Sequence, residues 1–352
     1  MPTISVIVVN WDRRELLRAS LLSLRAQSFR DFEIIVVDNG SRDGSPAMLA
    51  EEFPDVTLIR NAENRGFCAG NNQGIAAARG RYIALLNNDA EAEPGWLEAL
   101  LSGMRSEGDV GMCASKILFY EARNVIDKAG HLIYPDGQNR GRGCGEPDHG
   151  QYASPEEALF PDGCAAMYDR RVFESAGLFD EDFFAYGDDA ELGLRARLAG
   201  WRCLYVPTAV VYHHHSSTLG RFSEERLVLV ERNRLWLATK LFPWRLLLLN
   251  PLYSAVRLGA NALAAVRGEG EAGGFAGQRG WWAALRILVR AYGQALRGLP
   301  LMLRKRARVR RVRKLSGRDF LRLLRRFRIS ARQLAFAGPK SQVPGPRRRL
   351  GT

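Results

Sequence analysis

Residues 81–91 read RYIALLNNDAE. The apolar run Tyr82 to Leu86 drives straight into Asn87, Asn88 and Asp89, with Glu91 after Ala90. An unbroken apolar run of this length predicts a buried strand. Short Asn and Asp side chains bond the nearby backbone, so a turn follows. Whether that turn also holds a ligand depends on how the neighbouring strands end. TISVIVVN (3–10) ends on Asn10, EIIVVD (33–38) ends on Asp38 before Asn39, and VTLIR (56–60) leads to Asn64 and Arg65. Between these runs, 12–27 reads as a helix with Leu16, Leu17, Leu21 and Leu24 on one face; 46–53 and 67–79 also read as helices. Continuous apolar strands alternating with helices predict an α/β fold with a mostly parallel central sheet. Such sheets bind ligands outside the carboxyl ends of their strands. Asn10, Asp38, Asn39, Asn64, Arg65, Asn87, Asn88 and Asp89 are therefore candidates for one polar edge.

Further along, a helix is expected over 94–107 with Pro94 in its first turn. A strand is expected within 110–120, a long loop over 135–155 and a short strand at 164–168. A helix over 188–199 is closed by Gly200, and 202–212 is extended. Gly141, Gly143 and Gly145 are spaced G-x-G-x-G, but no strand precedes and no helix follows, so they read as loop. Gly66, Gly70 and Gly74 make a smooth helix stripe. It suits close packing on the sheet, and also backbone access for phosphate at a helix start beside Arg65. Asp188, Asp189 and Glu191 suit the start of a helix. Beside Asp180, Glu181 and Asp182 they also form a carboxylate cluster, which raises pKa values and suits a general base. His213, His214 and His215 follow an apolar strand in a chain with 5 histidines. They are candidate metal ligands.

Charge is divided unevenly. Residues 1–220 carry 21 Lys+Arg against 32 Asp+Glu, and residues 221–352 carry 30 against 6. A strongly basic end predicts an anionic partner surface. The 5 cysteines are scattered without a C-x-x-C pair, which argues against a disulfide framework or a zinc site and for a reducing compartment. The start, MPTISVIVVN, lacks the basic, then apolar, pattern of a signal peptide. No C-terminal apolar stretch reaches the ~20 residues a spanning helix needs.

Together, TISVIVVNW, EIIVVDNGSRDGS, NRGFCAGNNQGI, YIALLNNDAE, GLFDEDFFAYGDDAELGLRARLAGW and VVYHHHSS resemble the family 2 glycosyltransferases, especially the rhamnosyltransferase-like branch. The resemblance spans roughly residues 3–240. It implies a GT-A fold, a nucleotide-sugar donor, a divalent metal (Mg²⁺ or Mn²⁺) and inversion at the anomeric carbon. It implies that Asp38 holds the nucleotide base and that Asn64 and Arg65 lie in the donor loop. Asn87-Asn88-Asp89 matches the metal-binding triplet, with Asp89 as its strong ligand. Asp189 matches the catalytic base, with Asp188 in the place of the usual Glu. His213 matches a histidine that completes the metal site, with His214 or His215 able to take that role. Donor expectations run first to dTDP-rhamnose, then to a UDP-sugar. The acceptor is expected to be a glycan or lipid-linked glycan of the cell surface.

The expected organisation is a GT-A catalytic domain over 1–225, a basic amphipathic helical region over 226–335 and a disordered tail over 336–352. Residues 235–256 and 281–303 are rich in Leu and Trp with basic breaks. Basic amphipathic helices of this kind point to an anionic membrane surface rather than nucleic acid. The expected location is cytoplasmic, peripheral at the inner face of the plasma membrane. Two other classes fit the sequence less well. A nucleotidyltransferase would carry a Gly-rich basic loop after the first strand, where WDRREL stands instead. A nucleic-acid binder with a degenerate enzyme body would not need the acidic and histidine positions. The motifs do not specify the oligomeric state.

Overall fold

In the computed structural model, which describes residues 1–215 and 223–336, ten strands form one sheet. Its first half alternates strictly: β1 (Ile4–Asn10), α1 (Arg14–Arg25), β2 (Phe32–Asp38), α2 (Ser45–Glu52), β3 (Thr57–Arg60), α3 (Gly66–Ala77) and β4 (Tyr82–Leu86). Then follow β5 (Ala90–Ala92), α4 (Trp96–Ser106), β6 (Val110–Phe119), β7 (Ala122–Lys128), β8 (His131–Ile133), β9 (Asn139–Gly141), β10 (Glu156–Ala158) and β11 (Ala165–Asp169). The body is completed by α5 (Arg170–Ala176), a 3₁₀ turn at Glu181–Phe183, α6 (Asp188–Leu198) and β12 (Arg202–His213). Helix α4 starts two residues after Pro94, and the loop expected over 135–155 contains β9, which pairs with β8.

The sheet order is β10-β12-β6-β11-β4-β1-β2-β3, with β5 on β12 and β7 on β6. Strands β3, β2, β1 and β4 are parallel, as their uninterrupted apolar runs require. The other half is mixed. β11 runs antiparallel to both β4 and β6, a pairing that needs no crossover helix. Alternate residues point to opposite faces, so one β1 strand feeds two cores. Ile7 joins the cluster of Phe160, Leu192 and Leu194, whereas Val6 and Val8 join the cluster of Leu17, Leu21 and Trp96.

Seven helices follow: α7 (Glu224–Leu241), α8 (Trp244–Leu248), α9 (Asn250–Val266), α10 (Gly270–Arg279), α11 (Trp281–Val312), α12 (Gly317–Arg326) and α13 (Ala331–Phe336). Phe336 ends α13; the rest of the tail expected from 336 lies outside the described residues. Trp236, Leu237, Met302, Phe320 and Leu324 join the same core cluster as Phe160 and Leu192. Hydrophobic burial thus runs without a break from the sheet into these helices.

The glycine stripe of α3 explains how closely that helix lies on β1. A Cβ on Gly70 would stand 2.9 Å from Val9, and one on Gly74 only 2.5 Å from Ile7. Overpacking at such a contact costs about 1–3 kcal/mol. Gly74→Val should lose that much in urea denaturation. Gly95→Ala, where a Cβ meets nothing within 4 Å, should change stability far less.

Candidate active site

Parallel strands place their last residues side by side. Buried Asn10 closes β1, and its Nδ2 donates to Asp38 Oδ1 at 3.2 Å, at the end of β2. Asn88, just past β4, donates to Asn10 Oδ1 at 2.8 Å. Asp38 Oδ2 accepts from the Ser41 amide at 3.0 Å. Asn39 donates to Asn64 Oδ1 at 3.4 Å and to the Gly66 carbonyl at 3.1 Å, and accepts from Asn61 at 2.8 Å. Asn10, Asp38, Asn39, Asn64 and Asn88 therefore form one hydrogen-bonded edge across β4, β1 and β2. Arg65 is exposed at the start of α3. Two amides of that first turn are already bonded, Gly66 to Asn64 Oδ1 and Cys68 to the Phe184 carbonyl. That leaves less free backbone for phosphate there than the glycine spacing suggested.

Asp89 is brought to the end of β12 by strand pairing. Ala90 of β5 faces His213 in the antiparallel register, and the His214 amide donates to the Asp89 carbonyl at 2.9 Å. His213 Nε2 then stands 3.4 Å from Asp89 Oδ1. The other ring nitrogen, Nδ1, is 3.1 Å from Asp127 Oδ2, and His215 Nε2 is 2.8 Å from the same oxygen. One ligand atom from each of Asp127, His213 and His215 lies within 4.8 Å of the others. His214 turns away to Glu91 at 2.9 Å and stacks on Tyr120. Burial alone would lower the His213 pKa, but Cys164, Asp89 and Asp127 hold it well above the ordinary histidine value. Carboxylate and imidazole donors suit a divalent cation such as Mn²⁺ or Mg²⁺. A histidine held on one nitrogen by a carboxylate, with the other aimed at a second acid, is the usual arrangement of a metal-binding imidazole. The residues thus fit the implied metal.

Asp188 and Asp189 begin α6. The loop before them holds Phe184, Tyr186 and Gly187 at positive φ. Buried Asn233 of α7 fixes that loop by donating to the carbonyls of Phe183, Ala185 and Tyr186 at 2.7–3.0 Å. Asp189 accepts from the Ala190 amide at 2.7 Å and from the Gly163 amide at 3.4 Å, and lies 4.0 Å from His131 Nε2. Burial and the Asp162 charge raise the Asp189 pKa, while burial and Asp189 raise that of Asp188 further. Glu191, Asp180 and Asp182 are held in ion pairs, whereas Glu181 accepts from Asn72 at 3.0 Å. Glu191 binds Arg195 at 2.8 Å and Lys240 at 2.7 Å, and Asp180 binds Lys240 at 2.6 Å and also Lys305.

A buried link joins the two acidic sites. Lys128 Nζ lies 3.3 Å from Asp127 and 3.1 Å from Asp162, and His131 Nε2 is 2.9 Å from Asp162. The series Asp89–His213–Asp127–Lys128–Asp162–His131–Asp189 is continuous. Asp127, Lys128, His131 and Asp162 had no sequence signal beyond the scarcity of histidine. They come from β7, β8 and the loop before β11, which only tertiary pairing brings together.

Burial opposes ionisation of Asp162, yet Lys128 and His131 hold its pKa far below the ordinary range. Removing one partner of a buried pair costs about 3–5 kcal/mol. Lys128→Met should lose that much in denaturant melts near neutrality. A depressed carboxylate pKa stabilises the fold above its unfolded value near ~3.9 and loses that contribution below it. The gap between Lys128→Met and wild type should therefore narrow in melts taken below about pH 4.

Residues 5–177 match the family model described as Glycosyl transferase family 2. The O-antigen biosynthesis protein RfbC of Myxococcus xanthus is 32% identical over 232 residues, which cover 62% of this chain and 18% of that protein. An uncharacterized protein, y4gI, of Sinorhizobium fredii is 28% identical over 62% of this chain and 25% of its own length. This chain thus spans a quarter or less of either relative. The N-acetylglucosaminyl-diphospho-decaprenol L-rhamnosyltransferase of Mycobacterium tuberculosis is 26% identical over 246 residues, 61% of this chain and 77% of that one. Among solved structures, mannosyltransferase PcManGT from Pyrobaculum calidifontis, in complex with GDP-Man and Mn²⁺, matches with a TM-score of 0.52 at 19% identity, over 87% of this chain and 86% of that one. GalNAc-T7 with UDP, GalNAc and Mn²⁺ matches with a TM-score of 0.56 at 16% identity, over 68% and 48%. The fold is GT-A, and the part of the chain from β1 to the end of α5 belongs to glycosyl transferase family 2.

Proposed function

We propose that this protein transfers a sugar, with inversion, from a nucleotide-sugar donor to a hydroxyl of a glycan or lipid-linked glycan in cell-surface polysaccharide synthesis. The observation that carries the reading is the convergence of a polar donor edge, an Asp89–His213 pair and the carboxylate of Asp189 on one side of a GT-A sheet. The nucleotide is assigned to Asn10, Asp38, Asn39, Asn64 and Arg65, with Asn88 and Asp89 at the diphosphate. Asp89 and His213 would hold Mg²⁺ or Mn²⁺, which when bound neutralises charge growing on a diphosphate leaving group. Asp127 orients the His213 ring through Nδ1.

Asp189 is assigned as the base. Its Oδ2 would take the proton of the acceptor hydroxyl as that oxygen attacks the anomeric carbon opposite the leaving diphosphate. A carboxylate with a raised pKa is a better proton acceptor than an ordinary aspartate. dTDP-rhamnose is the proposed donor, supported by the rhamnosyltransferase relative, with a UDP-sugar next. Residues 1–225 would be the catalytic unit and 226–335 its helical brace, with the protein peripheral at the inner face of the plasma membrane, where a lipid-linked acceptor is presented. Among the described residues no helix is long and apolar enough to cross a membrane.

Incubation with Mn²⁺ or Mg²⁺ and a panel of nucleotide sugars should release nucleoside diphosphate from one donor above all. In that assay Asp189→Asn should cut transfer by ~10²–10⁴-fold while donor affinity stays near wild type. Full transfer by this variant would remove Asp189 from the role. Asp89→Ala should lose both transfer and the metal dependence of donor binding. The acid limb of the pH–rate profile should lie above the ~3.9 of a free aspartate, because protonation of the base stops the reaction.

A further inference from the structure

Exposed large apolar side chains are concentrated in α8, α9 and α11. On α11 they are spaced three, four or seven apart: Trp282, Leu285, Val289, Leu296, Leu299 and Leu303, with Trp282 82% and Leu296 67% exposed. This is one face of a helix left open along most of its length. Leu252, Val256 and Leu263 make a similar exposed row on α9. The two helices border one shallow apolar groove of about 430 Å³, lined by Ala255 and Leu258 from α9 and Leu288 and Tyr292 from α11. Val289 of the α11 row lines this groove, so the open face of α11 continues into it, which sets it apart from the scattered apolar residues that need no partner.

Charge decides what covers it. No Asp or Glu occurs in α8, α9 or α11, whereas α11 carries Arg297, Arg304, Arg308, Arg310 and Arg311. A second copy of the chain seated on this face would set arginines against arginines, a like-charge contact that opposes pairing. Nucleic acid would satisfy the arginines but leave Trp282, Leu285 and Leu296 without an apolar partner. An anionic lipid surface satisfies both: headgroups meet the guanidinium groups, and Trp and Leu side chains enter the boundary with the acyl chains.

We propose that α8, α9 and α11 form a docking surface that lies in the headgroup layer of an anionic bilayer, with the groove between α9 and α11 open to an acyl chain. The inference extends the lipid-linked acceptor of the function proposed above by naming the face that meets the lipid. The same α11 holds Asp180 and Asp182 through Lys305, close in sequence to the start of α6, so the docked helix also braces the catalytic end of the molecule.

The test is flotation of the full chain with vesicles of phosphatidylcholine alone or mixed with phosphatidylglycerol. The wild-type chain should float with the mixed vesicles and be released by high salt. A Trp282→Ser, Val289→Ser, Leu296→Ser variant should bind at least about tenfold more weakly, with an unchanged thermal melt because all three side chains are exposed. Failure of the wild type to bind mixed vesicles, or unchanged binding by the variant, overturns the proposal. So does a wild-type dimer, seen by light scattering without lipid, that the variant abolishes, because the face would then belong to a second copy. Donor hydrolysis without vesicles is read separately and should be equal in both chains, so loss of docking and loss of the glycosyl-transfer reading are distinguishable.

Discussion

The ammonium of Lys128, set between the carboxylates of Asp127 and Asp162, allows so much negative charge to share one side of this sheet. Desolvated carboxylates repel one another and resist ionisation unless a cation is built in. Here a single cation serves two neighbours that face different ways. Asp127 turns to His213 and His215, and Asp162 turns to His131 and the Cys164 amide. Among the described residues no lysine or arginine pairs with Asp188 or Asp189, and burial and neighbouring carboxylates raise their pKa values. The environment thus sorts the acids into two kinds. Those near Lys128 are held ionised, as ligands or orienting groups need. The pair at the start of α6 is held ready to gain a proton, as a base needs.

The C-terminal helices belong to this arrangement as much as the sheet does. Asn233 bonds three carbonyls of the loop that turns through positive φ before Asp188, a backbone that costs energy unless the surroundings hold it. Lys240 of α7 bridges Asp180 and Glu191, one on each side of that loop. Without α7, Asp180 and Glu191 would lose the cation they share, leaving each with one partner, Lys305 and Arg195, and the start of α6 would lose the restraint of Asn233.

How legible this was depends on where each residue's neighbours come from. Asn10, Asp38 and Asn88 end apolar runs, and parallel strands end side by side, so their common edge follows from patterning alone. The close approach behind the glycine stripe of α3 was legible for the same reason, since only a missing Cβ allows it. The choice among three adjacent histidines was not. It turns on β5 pairing with β12 in a register that sets Ala90 opposite His213, a detail that adjacent identical residues cannot signal. Asp127, Lys128, His131 and Asp162 were silent because their partners lie on other strands. Asp180 and Asp182 behave in the opposite way. Locally they extend a carboxylate cluster, but the cations that pair with Asp180, Lys240 and Lys305, lie 60 and 125 residues further on, and Lys305 also pairs with Asp182.

The division of charge along the chain has a mechanical reading as well. On the proposed function an acidic body would bind an anionic donor, and its own field would oppose that approach. Arg65 at the donor edge and the cation that Asp89 and His213 would hold offset this locally. The basic helices act on a different length scale. Screening confines each exposed charge to about 8–10 Å in physiological salt, so α11 cannot neutralise the donor edge from a distance. It can only hold the molecule against something anionic that it touches. A body that tolerates its own negative charge through buried cations, joined to helices whose positive charge stays outside, would keep the proposed donor chemistry and surface attachment electrostatically separate. The two are coupled instead through solid contacts, by Lys240 and Lys305 on the acids that flank the start of α6.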